Sequence, residues 1–299
     1  MTPAGTRQLS ALWGMSRPSQ LALIVLVYAL GVAMAAARGW TVDAMPVVVG
    51  CGALLPTAAS IHYVNEYADH ETDALTERTR FSGGSGALAR TGLPPRLALR
   101  AAVASVTVAT AVTIAGFATG LLPPVPLVLL VAIAVVGWAY SVGPALAWNG
   151  LGEVTNAVLG GLVLPLYGFA VVGADVDARA VLAVLPFAIY VFTNLLATQW
   201  PDRDADATVG KRTLPTRWSH HRLRRAYLAS ATLSLGSLAV LPFLGLLPPT
   251  VGWSSLVVVP VAALAAQRFT VVRSPFPTVA VMVAMAAIQL LAWLRLAFW

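Results

Sequence analysis

Apolar residues in this chain come in long blocks divided by short polar breaks. The blocks run approximately over 19–37, 45–66, 98–120, 124–141, 153–173, 179–199, 226–247, 250–267 and 276–297. A helix that crosses a bilayer needs about 20 mostly apolar residues, with roughly 17 as the lower limit, and every block reaches that range. The pattern predicts nine membrane-spanning helices. Pro56, Pro126, Pro165, Pro186, Pro242 and Pro260 fall inside blocks; helix bundles in lipid tolerate this because neighbours satisfy the freed backbone groups. The first block has no small-residue cleavage site, so it reads as a retained span behind a short leader.

Composition turns the pattern into a statement about solvent. Of the 299 residues 58% are hydrophobic and 10% charged, whereas soluble domains carry about 25% charged residues. Lipid is therefore the main solvent. The net charge of +7 does not indicate a nucleic-acid partner, because the basic residues sit between apolar blocks and not on a soluble module. Cys51 stands alone, and the four histidines show no zinc spacing.

The basic residues also orient the chain. With the N-terminus inside, the inner segments hold Arg7, Arg17, Arg78, Arg80, Arg90, Arg96, Arg100, Arg203, Lys211, Arg212, Arg217, Arg222, Arg224, Arg225, Arg268 and Arg273. The outer loops hold only Arg38 and Arg179. The positive-inside rule then predicts a multi-pass cell-membrane protein with a cytoplasmic N-terminus and an outer C-terminus. Two long inner loops, about 67–97 and 200–225, are the places to look for function. The rest of 1–299 leaves no room for a separate soluble domain.

Acidic residues crowd into those same loops. Eight of the 12 Asp and Glu are Glu66, Asp69, Glu71, Asp73, Glu77, Asp202, Asp204 and Asp206. Carboxylates at a membrane boundary are costly unless paired or metal-bound. Asn65, Asp69 and Asp73 are spaced by four, as are Asp202 and Asp206, and on a helix that spacing puts them on one face a turn apart. A pair of carboxylates so placed can hold Mg²⁺, which takes a few carboxylates and completes its shell with water and substrate phosphate. One such pair alone reads as a solvated surface. Two pairs on the same side of the membrane read as two metal sites flanking a diphosphate. Asp204, Glu71 and Glu77 lie off the shared face and read as surface charges.

Cations follow each pair. Arg78 lies five residues after Asp73 and Lys211 five after Asp206, with Arg80 and Arg212 beside them. Such groups can neutralise a diphosphate, or they can be ordinary inner-loop charge. Lys211 is the only lysine in the chain. The run Gly83–Gly86 reads as a phosphate-cradling turn, a hinge or a plain turn.

At these residues the sequence resembles a known family. NEYADHETD (Asn65–Asp73) is similar to the NxxxDxxxD motif of the UbiA superfamily of intramembrane aromatic prenyltransferases. DRDADATVGKRTLP (Asp202–Pro215) resembles its second motif, and AYSVGPALAWNGLGE (Ala139–Glu153) its Tyr-Ser/Thr-x-x-Pro…Gly-Leu-Gly-Glu segment. RTRFSGGSGAL (Arg78–Leu88) is most like the branch that prenylates 1,4-dihydroxy-2-naphthoate. The resemblance implies an all-α integral membrane fold with nine transmembrane helices around a central cavity capped by the two loops. It implies Mg²⁺ as cofactor, held by Asn65, Asp69, Asp73, Asp202 and Asp206. It also implies that Arg17, Arg78, Lys211 and Arg212 contact a polyprenyl diphosphate, with Arg80 added for its place beside Arg78; the prenyl group passes to a small hydrophobic or aromatic acceptor. One departure stands out: relatives often have a basic residue just before the Gly-Leu-Gly-Glu segment, where this chain has Ala147, Trp148 and Asn149.

Other readings stay open on the residues alone. Tyr63, Tyr67, Tyr140 and Trp200 are either an interfacial belt or a cage for a developing carbocation; Asn156 and Asn194 either meet substrate or bridge helices. The acceptor could be a carotenoid, a glycerol-phosphate lipid or a chlorin. An ion-coupled transporter would instead place its acids near the bilayer midplane, where this chain has almost none.

Overall fold

The computed structural model describes residues 3–75 and 84–299, and among these every regular element is a helix. In chain order they are α1 Pro3–Met15, α2 Pro18–Ala37, α3 Ala44–Ala68, α4 His70–Leu75, α5 Ala87–Thr91, α6 Arg96–Ala118, α7 Pro124–Ser141, α8 Gly152–Ala170, α9 Ala178–Gln199, α10 Arg203–Thr208, α11 Leu214–Arg217, α12 His220–Val240, α13 Pro249–Arg268 and α14 Phe276–Phe298. Pro18, Pro124 and Pro249 stand in the first turn of their helices, where the missing N–H costs nothing. Inside α8, Pro165 has no N–H to offer the preceding turn. The helix widens there to a π segment over Ala157–Val163, with the Leu164 N–H reaching the Leu159 carbonyl.

Among the described residues eight helical stretches are long and apolar enough to cross a membrane: α2, α3, α6, α7, α8, α9 with its continuation to Thr208, α13 and α14. Large apolar side chains such as Val108, Ile114, Val128, Val135, Leu233 and Leu291 point outward, which suits lipid as the surrounding solvent. The predicted block 226–247 falls on α12, which is long enough but too polar to qualify by composition. Its basic first turns carry Arg222, Arg224 and Arg225, and its polar side chains are used between helices. The Ser234 hydroxyl donates to the Pro186 carbonyl at 2.6 Å, Ser230 pairs with Thr193 at 2.7 Å and Tyr227 with Thr278 at 2.9 Å. Such interhelical bonds replace part of the apolar packing.

Neighbouring helices pack in a closed circuit: α2 on α3, α3 on α7, α7 on α8, α8 on α9, α9 on α12, α12 on α13, α13 on α14 and α14 back on α2. Helix α6 backs α3. Inside the circuit α2 meets α8 at backbone distance. A Cβ at Gly31 would overlap the Pro165 carbonyl, and one at Gly168 the Tyr28 carbonyl, so glycine is required at both positions. At one end of the bundle Arg38, after α2, forms a two-pronged pair with Asp177, the N-cap of α9, at 2.9 and 2.7 Å. The C-terminal ends of α3 and α9 lie at the other end, and α4 packs there against α10.

Candidate active site

The two aspartate motifs meet where α4 and α10 touch. Helix α3 ends at Ala68 and α4 begins at His70, yet the four-residue ladder continues across the joint. The Asp69 N–H donates to the Asn65 carbonyl at 2.9 Å and the Asp73 N–H to the Asp69 carbonyl at 2.8 Å. Asn65, Asp69 and Asp73 therefore stay one turn apart, as their spacing predicts. The Asn65 amide nitrogen donates to Asp69 Oδ2 at 2.8 Å and to Ser141 Oγ at 3.3 Å, and its oxygen accepts from Arg17 Nη2 at 2.9 Å. Arg17 has only donors and a carboxylate only acceptors, so this orientation of the amide follows from its partners.

Arg17 sits at the N-cap of α2 in the left-handed region, φ 52, an unusual conformation for a residue with a side chain. The guanidinium also donates to Glu66 Oε1 through Nε at 3.1 Å and Nη2 at 2.6 Å. Glu66, 3% exposed, accepts on its other side from Ser85, whose N–H reaches Oε1 at 2.8 Å and whose hydroxyl reaches Oε2 at 2.6 Å. Next to it Gly84, φ +61, lies against Asp73 so closely that a Cβ would overlap the carboxylate.

The second motif begins where Pro201 tightens the end of α9 into a single 3₁₀ turn, Trp200–Asp202. Asp206 then falls on α10 and is buried, whereas Asp204 is 73% exposed and pairs with Arg203 at 3.3 Å. Glu71 is likewise 84% exposed. The face assignments read from spacing hold for these residues. After α10, Gly210 (φ +78) turns the chain back and the Lys211 N–H donates to the Asp206 carbonyl at 2.9 Å. This turn carries the ammonium between the motifs, 3.4 Å from Asp69 Oδ1 and 3.5 Å from Asp206 Oδ1.

A third segment, the turn between α7 and α8, closes the site. The Trp148 indole N–H donates to Asp69 Oδ1 at 3.1 Å, and its carbonyl accepts from the Arg212 N–H at 2.9 Å. Glu153 at the start of α8 is fully buried and accepts from the Leu214 N–H at 2.6 Å. Tyr140 lies beside Lys211 and Asp69.

The charge balance is strained toward the negative. Burial, and then the neighbouring Asp69, push the Asp73 carboxyl up to about 7; Arg17 and Lys211 offset only part of this. Burial pulls Lys211 down, but Asp69 and Asp206 outweigh it and leave the ammonium more firmly protonated than usual. Arg17 follows the same logic, with Glu66 as its main support.

Of the residues singled out from sequence, the structure gathers Arg17, Asn65, Asp69, Asp73, Asp206 and Lys211 into one network, with Asp202 close to Asp206. Arg212 contributes its backbone while its side chain is exposed. Arg78, Arg80, Glu77 and Gly83 lie outside the described residues. Among the four candidate aromatics only Tyr140 faces the carboxylates. Tyr63 bonds the Leu12 carbonyl, Tyr67 stacks on His70 and Trp200 lies under Arg203. Glu66 and Ser85 as a hub, Glu153 as a brace and Trp148 as a donor are not legible in spacing. The signals for Glu153 were an acid at the head of an apolar block and its place at the end of the Gly-Leu-Gly-Glu segment.

Among the described residues no three or more His, Cys, Asp or Glu side chains converge into a closed cage for an ion. The carboxylates instead come in neighbouring pairs with excess negative charge, a donor set that suits Mg²⁺ sharing its shell with phosphate. Asn65 in its present orientation turns nitrogen, not oxygen, toward Asp69.

The UbiA prenyltransferase family matches residues 24–278 of this sequence. The chain belongs to that family. One relative, 1,4-dihydroxy-2-naphthoate octaprenyltransferase of Bacillus subtilis, is 26% identical over 212 residues, 70% of this chain and 66% of the relative, so just under two thirds of that protein's length is matched. Two solved structures share the UbiA fold. A homologue from Archaeoglobus fulgidus bound to DMAPP and Mg²⁺ superposes with a TM-score of 0.64 at 16% identity, covering 96% of this chain and 99% of the other. A digeranylgeranylglyceryl phosphate synthase gives 0.66 at 13% identity over 97% and 98%.

Proposed function

We propose that this UbiA-family chain transfers a polyprenyl group from its diphosphate to a small aromatic acceptor, with 1,4-dihydroxy-2-naphthoate as the first candidate, in a Mg²⁺-dependent reaction. The observation that carries this reading is the position of Lys211, whose ammonium bridges Asp69 of one motif and Asp206 of the other. A cation buried between two carboxylate pairs marks the place where a metal-bound diphosphate would be neutralised. The naphthoate relative and the Mg²⁺- and DMAPP-bound homologue support it.

In this reading Asp69, Asp73, Asp202 and Asp206 hold the metal, and Arg17, Arg78, Arg80, Lys211 and Arg212 serve the diphosphate. Asn65 orients Asp69 in the present arrangement; to act as a ligand its amide has to turn away from Arg17. Bound Mg²⁺ supplies positive charge to the departing diphosphate. The allylic C–O bond breaks with its electron pair leaving on the diphosphate, the acceptor carbon supplies the pair for the new C–C bond, and that carbon then loses a proton or its carboxyl group. Lys211 stabilises the leaving group as charge builds on it, and Tyr140 faces the same place with an electron-rich ring. The motif end of the bundle lies on the cytoplasmic side, with α12 as a ninth crossing.

The deciding assay is diphosphate release from purified protein given geranylgeranyl diphosphate, Mg²⁺ and a panel of acceptors, with EDTA as control. Release coupled to a prenylated naphthoate is the expected result. Product with a glycerol-phosphate lipid or other acceptor alone would keep the chemistry and replace the acceptor. Absence of metal-dependent turnover with every donor length would overturn the reading.

A further inference from the structure

Trp148 touches both halves of the site at once. Its indole N–H bonds Asp69 on the first motif, its carbonyl holds the Arg212 N–H on the second, and the Lys211 ammonium stands 5.8 Å from the centre of its ring, within the range of a cation–π contact. The turn that presents it is itself fixed. The Leu146 and Ala147 N–H groups donate to the Ala139 and Tyr140 carbonyls, both at 3.0 Å, and the Asn149 amide donates to the Pro144 carbonyl at 2.7 Å. Glu153, four residues after Asn149, ties the same turn to Leu214.

Asp69 is thereby held on both oxygens. Oδ2 accepts from Asn65, while Oδ1 accepts from Trp148 and faces Lys211. A carboxylate pinned at both ends has a fixed plane, and a fixed plane determines which lone pairs a metal meets. No cation stands at 147–149 to perform this task. A packing tryptophan would need only some acceptor for its N–H; this one bonds a motif aspartate on the oxygen that also faces Lys211.

We propose that Trp148 is a positioning residue for the Mg²⁺–diphosphate site: its N–H sets the plane of Asp69, and its ring keeps the Lys211 ammonium in register between Asp69 and Asp206. What the carboxylates hold rests on the function proposed above. Outer partners of metal ligands typically change metal affinity or activity by about 10–100-fold when removed.

The test is calorimetric titration of Mg²⁺ into the detergent-solubilised full chain in the presence of inorganic pyrophosphate. Trp148→Phe, which keeps the ring and loses the N–H, lowers Mg²⁺ affinity by about 10–100-fold with an unchanged melting temperature. Its rate recovers at saturating Mg²⁺, so the defect lies in the metal concentration required and not in kcat. Trp148→His returns a donor and recovers part of the affinity. If the Phe variant fails to fold, Trp148→His is compared with Trp148→Leu, and the donor-bearing variant binds Mg²⁺ more tightly. Equal affinity in the Phe variant and the parent, or a loss that simply follows a lower melting temperature, overturns the positioning role alone. A parent protein that binds no Mg²⁺ with pyrophosphate overturns the proposed function and this role with it.

Discussion

Glu66 and Ser85 are joined twice, the Ser85 N–H on one carboxylate oxygen and the Ser85 hydroxyl on the other. Glu66 also takes the Arg17 guanidinium, so one buried carboxylate ties the start of α2, the end of α3 and the segment leading into α5. Removing one partner of a buried ion pair leaves an uncompensated charge and costs about 3–5 kcal/mol. Glu66→Ala is expected to fall in that range by thermal unfolding in detergent. Ser85→Ala loses a hydrogen bond to a charged group and should cost about 1.5–3 kcal/mol. A Glu66→Ala protein as stable as its parent would show that the network does not hold these segments.

The four facing carboxylates should behave differently from their exposed neighbour. Asp69→Ala, Asp73→Ala, Asp202→Ala and Asp206→Ala are each expected to abolish most prenyl transfer while leaving a folded, inserted protein. Asp204→Ala should be mild, because Asp204 points to solvent and pairs with Arg203 beside it. Near-normal turnover in any two of the first four would sink the paired-metal arrangement, and an equal loss in Asp204→Ala would shift the register of the second motif.

Metal binding should release protons. The Asp73 carboxyl is raised to about 7 in the metal-free protein, above its ordinary value, so between the unfolded and folded values the folded state holds the extra proton. Metal-free stability attributable to this group is therefore lost as pH rises through that window. Mg²⁺ needs the carboxylate deprotonated, so its apparent affinity rises with pH up to about 7 and flattens above. Calorimetry in buffers of different ionisation heat measures the released proton directly. Asp206 is also raised, by burial, to about 6, so Asp73→Asn should remove the release near pH 7 and leave only a part at lower pH; full release near pH 7 in that variant would assign the proton elsewhere.

Topology tests the ninth crossing. If α12 spans, nine crossings put the two ends of the chain on opposite sides, whereas eight would put them on the same side. With the basic loops inside, a C-terminal alkaline phosphatase fusion should be active and a C-terminal fluorescent fusion dark. The reverse result would place α12 outside the bilayer.

The fold was largely legible because membrane spans announce themselves through length and apolarity, and each predicted block falls on a helix. The aspartate motifs were legible because four-residue spacing survives a helical joint, as the Asp69 and Asp73 N–H bonds show. Spacing fails for partners brought in from afar. Arg17 meets Asn65, Trp148 meets Asp69 and Leu214 meets Glu153 across 48, 79 and 61 residues. Nothing local to Trp148 distinguishes its indole from that of an interfacial anchor. The polarity of α12 has a related origin, since Ser230 and Ser234 find their partners on another helix.

Because the chain has one lysine and that lysine is Lys211, the site carries its own chemical tag. Apart from the terminal amine, an amine-directed reagent has a single target. At rest Asp69 and Asp206 hold the ammonium protonated and unreactive. A bound diphosphate would pair with the same ammonium and cover it, whereas Asp69→Asn or Asp206→Asn would release it, so labelling yield at one position becomes a readout of the site's charge pairing that needs neither substrate turnover nor an engineered probe.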